Sequence, residues 1–168
     1  MSVLAMILFP LCINLPGMIG AALFTVKNIP GWYNKLRHPA LNPPNWVFPT
    51  VWTLLYTMIG ISGYLIWNIE GEFSNKYSYA WSMFFIQLFF NFIWPPLFFG
   101  MHLMFLAFLD ILLLDIFIYL NIYAFYVINP LAGLLLIPYA FWVAYANYLN
   151  LAIWILNRKK TIIEEKSN

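Results

Sequence analysis

The chain reads as an all-α integral membrane protein, a bundle of five transmembrane helices. Its 168 residues are 64% hydrophobic and only 8% charged, where a soluble domain carries about 25% charge. A chain this short keeps too much of its surface exposed to hide so much apolar area from water. It contains five apolar runs that reach the roughly 20 residues a helix needs to cross the hydrocarbon core. Those runs lack the strict alternation of a porin-type strand, which argues against a β-barrel.

The first span covers about residues 3–26. Residues 1–9 contain no basic side chain, so they read as the start of this span rather than as a signal peptide. A loop at 27–45 follows, with Pro30, Pro39, Pro43 and Pro44 favouring turns and extended backbone. The second span covers 48–68, and it ends where Glu70, Gly71, Glu72 and Lys76 interrupt the apolar pattern. The third covers 79–99, and Pro95, Pro96 and Gly100 end or kink it. The fourth covers 103–127, before a tight turn at Asn129 and Pro130. The fifth covers 131–156, with Pro138 freeing a backbone carbonyl inside it. Residues 1–157 thus form one domain, and 158–168 a charged C-terminal tail expected to be frayed and outside the membrane. The single cysteine, Cys12, excludes an intrachain disulfide and a cysteine metal cluster.

Lysine and arginine set the orientation. Five spans put the first loop, the third loop and the C-terminus on one side, with Lys27, Lys35, Arg37, Arg158, Lys159, Lys160 and Lys166. Lys76 alone lies on the other. The expectation is an outside N-terminus and a cytoplasmic C-terminus, in a bacterial inner membrane, with an outer membrane as the alternative. There is no basic stripe and no soluble domain for nucleic acid.

Polar groups inside the spans need partners or a purpose. Gln87 and Asn91 are four apart on one face, with Trp94 three further on. They either glue helices together or offer Asn91 to a ligand carbonyl. Asp110 and Asp115 are five apart, roughly 140° of rotation, so they do not form a carboxylate pair. Asn121 falls near the face of Asp110. Trp52 and Tyr56 share a stripe with Gly60, Trp142 shares one with Ala146, and Gly17 with Ala21. Large aromatics beside small residues and a few amides suit a flat, largely apolar ligand.

GWYNKLRHP followed by PPNWVFPTVWTLLY resembles the signature of the translocator protein family (TspO, or peripheral-type benzodiazepine receptor). QLFFNFIWPPLFFG is similar to its third helix and LLIPYAFWVAYANYLN to its fifth, with a weaker match at LAFLDILLL. The resemblance spans about residues 16–157. It implies a five-helix bundle, a homodimer, and a ligand cavity covered by the first loop. It also implies ligands such as protoporphyrin IX, haem and benzodiazepine-type drugs, and places ligand contacts at Trp52, Asn91, Trp142 and Ala146. Trp32 and Tyr33 match the family's loop pair. Ala40, Leu41 and Asn42 stand where many relatives keep a tryptophan before the double proline. Leu151 replaces the tyrosine of the animal cholesterol motif, and Leu23 and Phe24 replace basic residues of the animal first helix. These departures indicate a bacterial-type member and weigh against specific cholesterol binding.

The leading expectation is a membrane receptor or sensor that binds tetrapyrroles, the ring lying against Trp52, Tyr56 and Trp142. Asn91 would meet a polar edge, Ala146 would leave room, and Trp32 and Tyr33 would close over it. Lys35, Arg37 or His38 would attract propionates at the mouth. No cofactor or metal is required; porphyrin or haem is the ligand, and the partners are that ligand, the lipid bilayer and a second copy of the chain. One alternative, also implied by the resemblance, is light-dependent porphyrin degradation, in which Trp52 and Trp142 would be the catalytic residues. Another is a porphyrin or small-molecule transporter, proton-linked through Asp110 or Asp115.

Overall fold

The computed structural model describes residues 3–70, 73 and 75–165, and no β-strand occurs among them. Five helical segments are long and apolar enough to cross a membrane: Val3–Val26, Val47–Ile69, Asn75–Gly100, Met104–Ile128 and Pro130–Arg158. Gly71, Glu72 and Ser74, read as part of the break after the second span, lie outside the described residues, as does Lys166.

The first span is α1 (Val3–Gly20), which widens into a π-helical stretch at Ala21–Val26. The second is α2 (Val47–Glu70). Pro49 sits in its first turn, where a missing N–H costs nothing. Three threonines on α2 would be unpaired in lipid, but each bonds back one turn: Thr50 to the Trp46 carbonyl, Thr53 to Pro49 and Thr57 to Thr53, at 3.1, 2.9 and 2.8 Å. The third is α3 (Ser78–Pro95), followed by a second π-helical stretch at Pro96–Gly100. Pro95 and Pro96 remove two consecutive donors, and the widened turn carries the chain past them, the Met101 N–H bonding five residues back to the Pro96 carbonyl at 2.8 Å.

The fourth span is α4 (Met104–Ile128). Asn129 then leaves helical geometry and caps α5 (Pro130–Leu135), its side-chain oxygen accepting from the N–H groups of Leu131 and Ala132 at 3.1 and 3.4 Å. Pro130 occupies the first helical position, where proline is favoured. The fifth span is broken, because α6 (Ile137–Glu165) starts anew after Leu136. Pro138 has no N–H to give the Leu134 carbonyl, and the break falls in the turn before it. At its other end α6 runs on past Arg158 to Glu165, into the charged tail. Arginine, lysine and glutamate are good helix formers, and no glycine or proline interrupts them.

In the bundle α1 packs on α2, α3 on α4, and α4 on α6, while α5 fits against both α4 and α2. Ser62 on α2 pins α5 by donating to the Ala132 carbonyl at 2.7 Å. Most of α1 faces outward, with Ile13 its one buried side chain. The backbones of α1 and α2 come close at Gly60, where any Cβ would fall on the backbone of Pro10. Backbone cannot swing aside as a flexible side chain can. Gly60→Val is therefore expected to separate α1 from α2 and cost roughly 1–3 kcal/mol, read as a lowered unfolding temperature in detergent.

Candidate ligand cavity

The cavity lies at the end of the bundle where the 27–45 loop, the turn before α4 and the C-terminal half of α6 meet. It has a volume of about 200 Å³. The first span contributes Gly17, Ala21 and Thr25, and α2 contributes Phe48, Trp52 and Tyr56. Asn91, Trp94, Phe98 and Phe99 come from the third span, and Ala146, Leu149, Asn150 and Ile153 from α6. Ile29, Tyr33 and Asn45 close it from the loop. Among the described residues that line it, none is charged.

Several close fits create the space. Gly17 lies against the Tyr56 ring so tightly that a Cβ there would displace the ring. Trp52 leans on Tyr56 with ring centres 5.3 Å apart and meets the edge of Tyr139 at 6.3 Å. Under the loop, Tyr33, Phe98, Phe99, Met104 and Ile153 form a separate buried cluster, so the cover is packed rather than merely draped.

Polar groups on the inner wall are tied to each other. The Tyr56 hydroxyl donates to Asn91 Oδ1 at 2.8 Å. Asn91 Nδ2 donates to the Tyr139 hydroxyl at 2.8 Å, and that hydroxyl donates to Gln87 Oε1 at 3.0 Å. A second set links the Trp94 indole N–H to Asn150 Oδ1 at 3.0 Å, and Asn150 Nδ2 to the Met104 carbonyl at 2.8 Å. Interhelical hydrogen bonds in lipid average only about 0.6 kcal/mol. Losing one partner, however, orphans another buried group at roughly 1–3 kcal/mol. The pairing is therefore worth more as avoided cost than as net attraction.

The loop is held from several directions. Asn157 grips the backbone of Arg37 twice, accepting its N–H and donating to its carbonyl, both at 3.0 Å. The Tyr145 hydroxyl donates to the Leu41 carbonyl. Tyr33 donates to Asn42 at 3.1 Å, and His38 Nε2 donates to the Tyr33 carbonyl at 3.0 Å. Trp32 stacks on His102, ring centres 4.0 Å apart and planes 16° apart. His102 sits at a φ of 60°, in the left-handed region, at the turn before α4.

The structure brings Trp52, Tyr56, Asn91, Ala146 and Tyr33 to one cavity. It does not bring the remaining sequence candidates there. Trp142 packs edge-on against Phe48 at 6.0 Å and against Tyr145 at 5.7 Å, backing the wall through Phe48. Trp32 caps His102 from outside the lining. Lys35 and Arg37 are exposed on the cover, and His38 turns inward to the Tyr33 carbonyl. Neither Asp110, which is buried, nor Asp115, which is half-buried, lines the cavity. Asp115 Oδ2 accepts from Asn147 at 3.0 Å, and each of the two carboxylates keeps one buried oxygen without a partner. Asn121 does not join Asp110; its amide approaches the Ala80 carbonyl at 3.5 Å. Sequence reasoning overlooked Tyr139 and Asn150, although both extend the 142/146 stripe of α6 at helical spacing.

The same arrangement can now be set beside known proteins. A sequence model of the TspO/MBR family matches residues 6–155. The chain belongs to the TspO/MBR family. It is 40% identical over 157 residues to a "Tryptophan-rich protein TspO" from Archaeoglobus fulgidus, covering 94% of this chain and 99% of that one. It is 38% identical over 123 residues to the human "Translocator protein", covering 73% of each. Against the "Tryptophan-rich sensory protein" of Cereibacter sphaeroides it is 36% identical, over 75% of this chain and 77% of the other. Family membership together with five long apolar helices makes this an integral, multi-pass membrane protein.

Two outcomes test the cover. Asn157→Leu removes both bonds to Arg37, and hydrogen exchange of the loop amides should quicken roughly five- to tenfold, the worth of about 1 kcal/mol, with the helices unchanged. Burial pushes the Tyr33 hydroxyl pKa up, against the opposing effect of its bond to Asn42. A raised pKa in the folded state means full support for the closed loop below tyrosine's ordinary value of about 10. That support is lost as pH rises above it. Loop proteolysis should accelerate above that pH in the native chain and lose this dependence in Tyr33→Phe.

Proposed function

We propose that the protein is a membrane sensor or receptor whose ligand is a flat, largely apolar molecule held in this cavity, with tetrapyrroles such as protoporphyrin IX or haem as the ligand class. One observation carries the reading: an uncharged, aromatic-walled cavity lies inside the bundle beneath a loop pinned by side chains of α6. The names of two relatives, one a sensory protein and one a translocator, support a signalling or ligand-handling role.

The closed volume, about 200 Å³, lies below the roughly 300–1,000 Å³ of drug-sized ligand sites. A tetrapyrrole therefore enters only when the loop lifts. The ring then lies along Trp52 and Tyr56, with Ala146 supplying clearance. Its propionates remain at the mouth, where Lys35 and Arg37 stand exposed. Bringing those carboxylates inside would strand charge in hydrocarbon. The bias of lysine and arginine toward this end of the bundle supports a mouth on the cytoplasmic side.

Titrating protoporphyrin IX into detergent-solubilised protein should quench tryptophan fluorescence. Ala146→Phe fills the clearance and should weaken binding by about tenfold or more, equivalent to about 1.4 kcal/mol. Trp52→Phe should weaken it less while removing most of the quenching. Absence of quenching rejects the ligand class; unchanged affinity in both variants rejects the site.

A further inference from the structure

Tyr139 and Gln87 do not line the cavity, yet they terminate a hydrogen-bonded chain that begins at its wall. Tyr56 and Asn91 are lining residues; Tyr139 is fully buried and Gln87 is 1% exposed. Every member of this chain can both donate and accept. Its sense is Tyr56 to Asn91 to Tyr139 to Gln87, which leaves Gln87 Nε2 buried and without a partner.

The same four side chains can run the opposite way without moving the helices. Turning both amides end for end puts Gln87 Nε2 against the Tyr139 oxygen. Tyr139 then donates to Asn91 Oδ1, and Asn91 Nδ2 donates to Tyr56. In that sense the Tyr56 proton is released from Asn91 and can point into the cavity. Each sense leaves one end of the Gln87 amide unpaired, so the far end of the chain contributes no decisive preference. The two senses differ chiefly in what Tyr56 presents: a lone pair in the observed sense, a hydroxyl proton in the other. A ligand carrying an acceptor supplies the partner that only the second sense needs and shifts the population toward it.

We propose that Gln87 and Tyr139 are specificity-determining positioning residues, setting whether the cavity offers Tyr56 as an acceptor for ligand N–H groups or as a donor for ligand carbonyls. The inference rests on the cavity being the ligand site. It extends that reading to ligand chemistry: one polar atom of either kind, placed against Tyr56, is accommodated by reversing the chain.

Three small, flat tricyclic probes separate the outcomes. Fluorenone has a carbonyl acceptor, carbazole an N–H donor, and fluorene neither. In Gln87→Met the Tyr139 proton loses its distal acceptor and turns to Asn91, which favours the second sense. The fluorenone-to-carbazole affinity ratio of the full-length protein in detergent should rise about five- to tenfold, the worth of one net hydrogen bond. Fluorene serves as the reference for changes in packing. Gln87→Leu, which removes the same acceptor, should move the ratio the same way and keeps the test open if Gln87→Met fails to fold. Tyr139→Phe takes the bonds of this hydroxyl from both senses alike, and on that background Gln87→Met should have no further effect on the ratio. An unchanged ratio in both Gln87 single variants, or a loss shared equally by all three probes, overturns the assignment. If the unmodified protein binds none of them, the cavity reading falls and this inference falls with it.

Discussion

Hydrocarbon offers no partner for a polar group, and this one constraint organises the bundle. Each amide or hydroxyl placed inside a span must find its complement on the same helix or on a neighbour. The threonines of α2 use the first solution; Ser62, Asn91, Asn147 and Asn150 use the second. Helices that would otherwise slide on apolar surfaces are held in register by these few bonds. The packed aromatic clusters then fill around them.

The cavity is walled where that pairing is in place, and the buried polar atoms left without a partner belong to residues outside its lining. Its walls are aromatic rings and small residues, and its polar atoms are already partly engaged with one another. Under the proposed function, such a site discriminates by shape and by a single hydrogen bond rather than by charge. Charged groups stay outside on the cover, where water solvates them. The cover itself belongs to the folded core through Tyr33 and to α6 through Asn157 and Tyr145. Opening it means breaking specific contacts, which would set a defined barrier to ligand entry under the proposed function.

Much of this could be read from sequence, for a physical reason. Lipid simplifies the code: a long apolar run can only be helix, and an intramembrane polar residue announces a contact. The gathering of Trp52, Asn91 and Ala146 at one cavity is implied by the family resemblance, whereas the five spans and the shared face of Trp52 and Tyr56 follow from those rules and from four-residue spacing. Trp142 shows their limit. It shares a stripe with Ala146, yet the Phe48 ring takes the position beside the cavity, and the identity of a facing residue on another helix is not encoded in local spacing. Asn157 was equally hidden, because its role is to grip the backbone of a residue 120 positions earlier.

The π-helical stretch at Ala21–Val26 has a consequence for the geometry of the wall. Gly17, Ala21, Thr25 and Ile29 all face the cavity, at intervals of four residues. In a regular α-helix each such step overshoots a full turn by about 40°, so the fourth member would have rotated well round the axis. The wider turn absorbs that drift and keeps the stripe straight. The extra residue that the wide turn takes up is thus what keeps the far end of the helix in phase. Closing the stretch into a regular α-helix at its present length would rotate everything beyond it by about 100°. Ile29 would leave the cavity while Gly17 stayed, and the cover would start from the wrong side of the helix.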